Sequence, residues 1–196
     1  VDLGASNDYF GSSATAMNEA GVVVGNDSAG NDSKGYSTAP AVFTPGAVPQ
    51  IIGENRGYGS IAAINSTNEI VGEFTLYSNQ HKSAGIFSAN HVALLNPFNG
   101  SSSQATGINN AGFVVGFYAI GLTGSYGSFI YHNGRFSNLG HLPGDSSVMA
   151  YAINQKGWVT GGSADPGPQG KGFRTFLYRK GKMSSVAAKP GYEFFG

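Results

Sequence analysis

The chain has 196 residues, long enough to bury a core, and its 11 basic and 11 acidic side chains cancel. That balance gives no basic stripe for a phosphate backbone, so nucleic acid is not an expected partner. There is no cysteine, hence no disulfide framework and no thiolate metal site, and no apolar run approaches the roughly 20 residues of a membrane helix.

The remaining composition reads as all-β. Glycine is abundant at 31 residues, while 13 Phe and 10 Tyr supply the large apolar surface that a disordered chain lacks. In chain order, the first feature is Val1-Asp2-Leu3-Gly4, which matches Ser137-Asn138-Leu139-Gly140 far downstream. An anchor follows: Met17-Asn18, with Gly25 seven residues after the Asn. It returns as Ile64-Asn65 to Gly72, Ile108-Asn109 to Gly116 and Ile153-Asn154 to Gly161. The Asn spacings are 47, 44 and 45 residues, a period typical of propellers, solenoids and arrays.

Each copy spells the same four strands. A first strand ends at the anchor Asn, with a small residue two positions before it (Ala16, Ala63, Gly107, Ala152). Small side chains at a fixed position imply crowding where strands converge. Three residues after the Asn stands Gly21, Gly112 or Gly157, and Asn68 in the second copy. Gly and Asn best tolerate positive φ, so a tight left-handed hairpin is predicted there. A short second strand follows: Val22–Val24, Ile70–Val71, Phe113–Val115, Trp158–Thr160. After a longer polar loop comes a third strand with an aromatic near its centre: Ala39–Thr44, Ala84–Ser88, Ser128–His132, Thr175–Arg179. Tight turns at Pro45-Gly46, Ala89-Asn90, Asn133-Gly134 and Lys180-Gly181 lead to fourth strands Val48–Ile52, Val92–Leu95, Phe136–Leu139 and Met183–Val186.

A four-stranded meander at this period is a propeller blade. The expected fold is therefore all-β and β-propeller-like, with four blades of four antiparallel strands and a surplus N-terminal strand. The whole chain reads as one repeat domain, with repeats at about 12–53, 54–98, 99–142 and 143–188, flanked by 1–11 and 189–196. The surplus strand allows a closed ring, in which it pairs at the seam or with a neighbour, or a piece of a longer array. The ring is preferred, because an open seam leaves strand edges unpaired.

The pattern A-x-A-I-N-x-x-G-x-V-V-G, an aromatic strand, then G-x-x-x-x-L-G resembles the HAF-type extracellular repeat of bacterial secreted proteins. Ala105–Gly116 and Gly134–Gly140 carry it best, and Met17, Asn68, Gly107 and Thr160 depart from it. The resemblance implies a secreted or surface location and a propeller-like fold, and brings no catalytic residues. The low charge with abundant Ser, Asn, Gly and Tyr agrees with a secreted surface, and a start at Val1 rather than Met is what removal of a signal peptide would leave.

In a meander, the loops between second and third strands share one end with the links between copies. These long, varied loops form the candidate binding face. Its ligand-binding candidates are Tyr36, Tyr58, Glu73, Tyr77, His81, Tyr118, Tyr126 and Asp145. Aromatic rings beside carboxylates and amides suit sugars, since ring faces cover C–H surfaces and polar groups fix hydroxyls; the competing role for such aromatics is to wedge between blades. Asp27 and Glu73, two and one residues past their anchor Gly, are the best carboxylate pair for glycoside chemistry. Asn26–Ser33 reads N-D-S-A-G-N-D-S, which makes Asp27 and Asp32 candidate calcium ligands, although the segment lacks the spacing and terminal Glu of an EF-hand. A structural calcium or other ion in the axial channel, held by backbone carbonyls, is the one cofactor left open. His81, His91, His132 and His141 show no metal spacing.

Three functions follow: a secreted binding or scaffold module for carbohydrate or a cell-surface or matrix ligand, a polysaccharide hydrolase or lyase on the same face, and a structural subunit that self-assembles through the surplus strand. The first is preferred.

Overall fold

A computed structural model describes residues 11–32, 35–53, 57–99, 102–122, 124–165 and 172–186. The surplus strand Val1–Gly4 lies outside the described residues, as do the side chains of Asp32 and Tyr36.

The protein is all-β and propeller-like, with four blades that are each a four-stranded antiparallel meander. Blade 1 is β1 (Ser12–Met17), β2 (Val23–Asp32), β3 (Gly35–Phe43) and β4 (Gln50–Ile51). Blade 2 is β5 (Gly57–Ile64), β6 (Ile70–Leu76), β7 (Lys82–Phe87) and β8 (Val92–Leu95). Blade 3 is β9 (Ser103–Ile108), β10 (Val114–Ile120), β11 (Ser125–His132) and β12 (Arg135–Asn138). Blade 4 is β13 (Ser147–Ile153), β14 (Val159–Ala164), β15 (Arg174–Arg179) and β16 (Lys182–Ser185). Among the described residues no helix is long and apolar enough to cross a membrane.

The anchor is one local device built four times. The Asn side-chain oxygen accepts the amides two and four residues on, from Ala20 and Val22, Thr67 and Glu69, Ala111 and Phe113, and Lys156 and Trp158, all at 2.9–3.1 Å. This closes the turn and leaves its third residue in the left-handed region: Gly21, Asn68, Gly112 and Gly157 have φ of 80°, 63°, 76° and 74°. The hairpins at Asn133-Gly134 and Lys180-Gly181 have positive φ at both central residues, the geometry that matches strand twist.

The Gly seven residues after the Asn answers a different need. None of Gly25, Gly72, Gly116 and Gly161 has positive φ. Opposite each, the first strand carries a β-bulge whose extra residue is Thr15, Ala62, Thr106 or Tyr151. The bulge pushes a backbone carbonyl against the glycine. A Cβ at these positions would overlap the oxygen of Ser13, Ser60, Gln104 or Met149 respectively. The second strands therefore run through the glycine rather than ending near it. This corrects the expected loop positions: Asp27 lies within β2 and Glu73 within β6.

The blades are joined by three apolar cores. Val24 of blade 1 packs with Ile61, Ile70 and Phe74 of blade 2. Val71 of blade 2 packs with Ala105, Val114 and Tyr118 of blade 3, and Val115 of blade 3 with Val148, Ala150 and Val159 of blade 4. In each junction the earlier blade offers the residue just before its anchor glycine. The later blade offers the residue four before its Asn. Polar contacts repeat alongside. Asn18 donates its side-chain amide to the Asn65 carbonyl at 3.1 Å, Asn65 to Asn109 at 3.2 Å, and Asn109 to Asn154 at 3.2 Å, a ladder through the whole stack. The bulged first strands have outward amides, and the preceding blade satisfies two of them: Asn26 Oδ1 accepts from Ile61 and Ser128 Oγ from Ala150.

Among the described residues no apolar core joins blade 4 to blade 1. The position four before the Asn shows this directly. Ile61, Ala105 and Ala150 are at most 4% exposed, while Ala14 of blade 1 is open to solvent. The residue before the anchor glycine gives the mirror result: Val24, Val71 and Val115 are buried and Thr160 of blade 4 is exposed. The described residues thus show three blade-to-blade junctions, and the side of blade 1 turned away from blade 2 is open at Ala14 and Met17 but closed over Asp27, Ala41 and Phe43, which are at most 3% exposed.

Candidate functional site

Of the predicted binding residues, Tyr58, Glu73, Tyr77 and His81 come to one place, the long-loop end of blade 2. The chain leaves β6 at Leu76 and turns through Tyr77–His81, with Gln80 at φ 56° and its amide bonded to the Leu76 carbonyl at 2.9 Å. Tyr58 sits opposite Thr75 on the neighbouring strand, which brings it to the same corner. Its hydroxyl donates to Gln80 Oε1 at 3.1 Å, and Gln80 Nε2 donates to the Tyr77 carbonyl at 3.3 Å. The Tyr58 and Tyr77 rings are 5.9 Å apart, tilted by 42°, and both are half-buried. The Gln80 bonds fix the relative placement of two partly open rings, reducing the entropy a ligand must overcome to order them.

Polar groups lie at the same end of blade 2. Glu73 receives an ion pair from Lys82 at 3.1 Å. Half-buried His81 has its ring Nδ1 3.4 Å from Ser83 Oγ, and its backbone amide donates to Asn79 Oδ1. The lysine side chain is 55% exposed, so the pair adds little to stability but presents both charges at the rim of the corner.

The other candidates are placed differently. Tyr118 is a core residue: it is buried between blades 2 and 3, its hydroxyl accepts from Asn138 Nδ2 at 3.2 Å, and Phe98 packs on its ring at 5.3 Å. Burial pushes its phenol pKa up. Tyr126 is half-buried, edge-on to Phe117 at 5.6 Å, on blade 3. Asp145 is a structural tie, buried and bonded to Arg174 at 2.7 Å and Ser163 Oγ at 2.7 Å. Arg174 also donates to the Pro143 carbonyl, so the trio pins the link between blades 3 and 4 onto β14 and β15. Burial alone would raise the Asp145 pKa. Hydrogen bonds from Arg174 and Ser163, with the charges of Arg174 and His141, outweigh it and hold the carboxyl below its ordinary value.

Asp27 and Glu73 are not brought together. Val24 and Asn26 face blade 2, so strand alternation turns Asp27 to the opposite face of blade 1. There it is fully buried, and neither carboxylate oxygen has a hydrogen-bond partner. Among the described residues no group of three or more His, Asp or Glu is placed to hold a metal ion.

Sequence reasoning missed one more surface. The free face of blade 4 carries Tyr151 and Phe173, which are 49% and 66% exposed, around a shallow groove of about 230 Å³. Tyr151 is the bulge residue of its copy, where the others have Thr15, Ala62 and Thr106, and an aromatic at that point was the available signal.

Comparison with protein-family models, with characterised proteins and with solved structures returns no match. The geometry of the blades and of the blade 2 corner is therefore the basis for a functional reading.

Proposed function

We propose that this chain is a secreted, non-catalytic repeat module that holds carbohydrate, or a similarly hydroxylated cell-surface ligand, at the long-loop end of blade 2. The observation that carries the reading is the Tyr58–Tyr77 pair, braced by Gln80, with the Glu73–Lys82 ion pair on the same face of blade 2 and His81 in the adjoining turn. Such a corner offers apolar ring surface to a sugar's C–H groups and charged or amide groups to its hydroxyls. The low charge, the glycine-rich turns and the resemblance to HAF-type repeats support the secreted location. Paired-carboxylate hydrolysis is not favoured, since Asp27 and Glu73 stand on different faces of different blades.

A glycan array followed by titration calorimetry tests it. The chain is expected to retain a defined set of glycans, and Tyr77→Ala to weaken their binding by about tenfold or more, equivalent to ~1.4 kcal/mol, with the fold unchanged by circular dichroism. Tyr151→Ala on blade 4 leaves the titration unchanged. Retention of no glycan, or equal affinity for the Tyr58→Ala/Tyr77→Ala double variant, contradicts the proposal.

A further inference from the structure

The zero net charge of the chain hides a separation of charge in space. The Asn turn and the third-to-fourth-strand hairpin of each blade lie at the end opposite the long loops, the short-turn end. Among the lysines and arginines whose side chains are described, Lys82 is paired with Glu73 and Arg174 with Asp145. The others, Arg135, Lys156, Arg179, Lys180 and Lys182, are exposed and form no ion pair among the described residues. All five stand at the short-turn end of blades 3 and 4. Lys156 is in the Asn turn of blade 4, Arg179 and Lys182 flank the Lys180-Gly181 hairpin, and Arg135 follows the hairpin of blade 3. No described acid of these two blades shares that end, since Asp145 and Asp165 lie at the long-loop end. Glu19 and Glu69 belong to the turns of blades 1 and 2, and Glu69 is held there by Asn65 at 2.6 Å.

This cluster strains the fold. Arg179 and Lys182 are direct cross-strand partners on β15 and β16, which sets two like charges on one face with Cβ atoms about 5 Å apart, a destabilising pair. Arg179 and Lys156 both lie over the Trp158 ring, 5.6 and 5.5 Å from its centre, so one indole gathers two cations. Protection of a strand edge does not account for the charges, because the outer strands β4 and β8, Gln50–Ile51 and Val92–Leu95, carry none. Nor are they left exposed merely because no blade follows. The positions equivalent to Lys156 and Arg179 are Thr67 and Ser88 in blade 2, and both stay exposed although blade 3 packs on that blade.

We propose that the short-turn end of blade 4 binds an acidic polysaccharide, one bearing carboxylate or sulfate groups. Arg179, Lys180 and Lys182 are its main contacts, and Arg135 extends the patch onto blade 3. An anion between Arg179 and Lys182 offsets the repulsion that the fold tolerates. Arg179 offers a planar fork for two parallel bonds to one anionic group, and the lysines add point charges that follow further anions along the polymer. A nucleic acid fits less well. A single strand needs open aromatic faces for its bases, and two cations already lie over Trp158. A bilayer fits less well too, since no exposed large apolar residue stands among these cations to enter it. The patch is on a different blade from the Tyr58–Tyr77 corner and at the opposite end, so it goes beyond the ligand proposed there and does not depend on it.

Titration calorimetry with polygalacturonate, heparin and neutral dextran, at about 50 mM salt to limit screening, is the test. The chain is expected to bind at least one of the two acidic polymers and not dextran, and to bind about tenfold more weakly at about 300 mM salt. Lys182→Glu is expected to weaken binding of that polymer by about tenfold or more while raising the denaturation midpoint, because a like-charge pair becomes an opposite-charge one. Tyr77→Ala leaves this binding unchanged, and Lys182→Glu retains the glycans that Tyr77→Ala releases, so failure at one site is told apart from failure at the other. Absence of binding to both acidic polymers overturns the proposal. So does undiminished affinity of the Lys182→Glu chain, or affinity lost together with a lowered midpoint. Tighter binding of duplex DNA or of phosphatidylglycerol vesicles than of either polymer overturns it as well.

Discussion

Gly72→Ala is expected to lower stability by about 4 kcal/mol or more, the range reserved for steric conflicts that a core cannot relax. The added Cβ would overlap the Ser60 carbonyl oxygen and stand 3.0 Å from Ile61 Cα, both of them backbone. Relief requires the bulged strand to move. That strand is held by the Ile61 side chain, buried in the core with blade 1, and by the Ile61 amide, bonded to Asn26. The control lies in the next copy. Gly112→Asn places there what blade 2 already has at Asn68, and a Cβ at Gly112 meets only Glu69 Oε2 at 3.8 Å. Its cost is expected to stay below about 1 kcal/mol despite the positive φ. Chemical denaturation of both variants checks the pair. A Gly72→Ala midpoint close to that of the unmodified chain would refute the bulge explanation of the repeat glycine.

Asn109→Ala is expected to cost about 3 kcal/mol, because it strands the amides of Ala111 and Phe113 and removes the bond to Asn154 in one change. Asn109 is 1% exposed, so water replaces little of this. Asn154→Ala removes the same two turn bonds, to Lys156 and Trp158, but no bond to a following blade. It is also better solvated, and in dilute protein its cost is expected to be smaller by at least ~1 kcal/mol. Equal costs at the two sites would show that the ladder between blades contributes nothing beyond the turns.

These two residue types mark how far the sequence is legible. The period, the four meanders and the left-handed turn follow from local chemistry, because a turn needs positive φ at one position whatever surrounds it. Asn68 shows the rule surviving a substitution. The glycine seven residues after the Asn was visible but its role was not. The residue that excludes a side chain there is a carbonyl on another strand, brought close by a bulge that no spacing within the second strand reveals. Reading that glycine as the strand's end turned Asp27 and Glu73 into loop residues and neighbours, which the alternation of β2 and β6 forbids. Tyr58 and Tyr118 are the same residue type near the same end of their blades. One lies beside a turn and stays partly open, while the other falls on a strand position facing the previous blade and is buried. Choosing between them needs the register, which the sequence did not supply. The end faces were least legible, since Ala14 and Ala105 are the same residue at the same repeat position, yet the first is exposed and the second, with Val71 of blade 2 packed on it, is buried.

That last pair gives the most direct test of the stack. Hydrogen exchange in dilute solution, followed amide by amide, compares first strands that have the same hydrogen-bonded partner strand and differ only in their cover. The three-junction stack predicts that β1 amides exchange at least about tenfold faster than the equivalent amides of β9 and β13, through local opening of an uncovered strand. Protection of β1 equal to that of β9 would mean that a blade covers it within the same chain, and that the ring is closed after all.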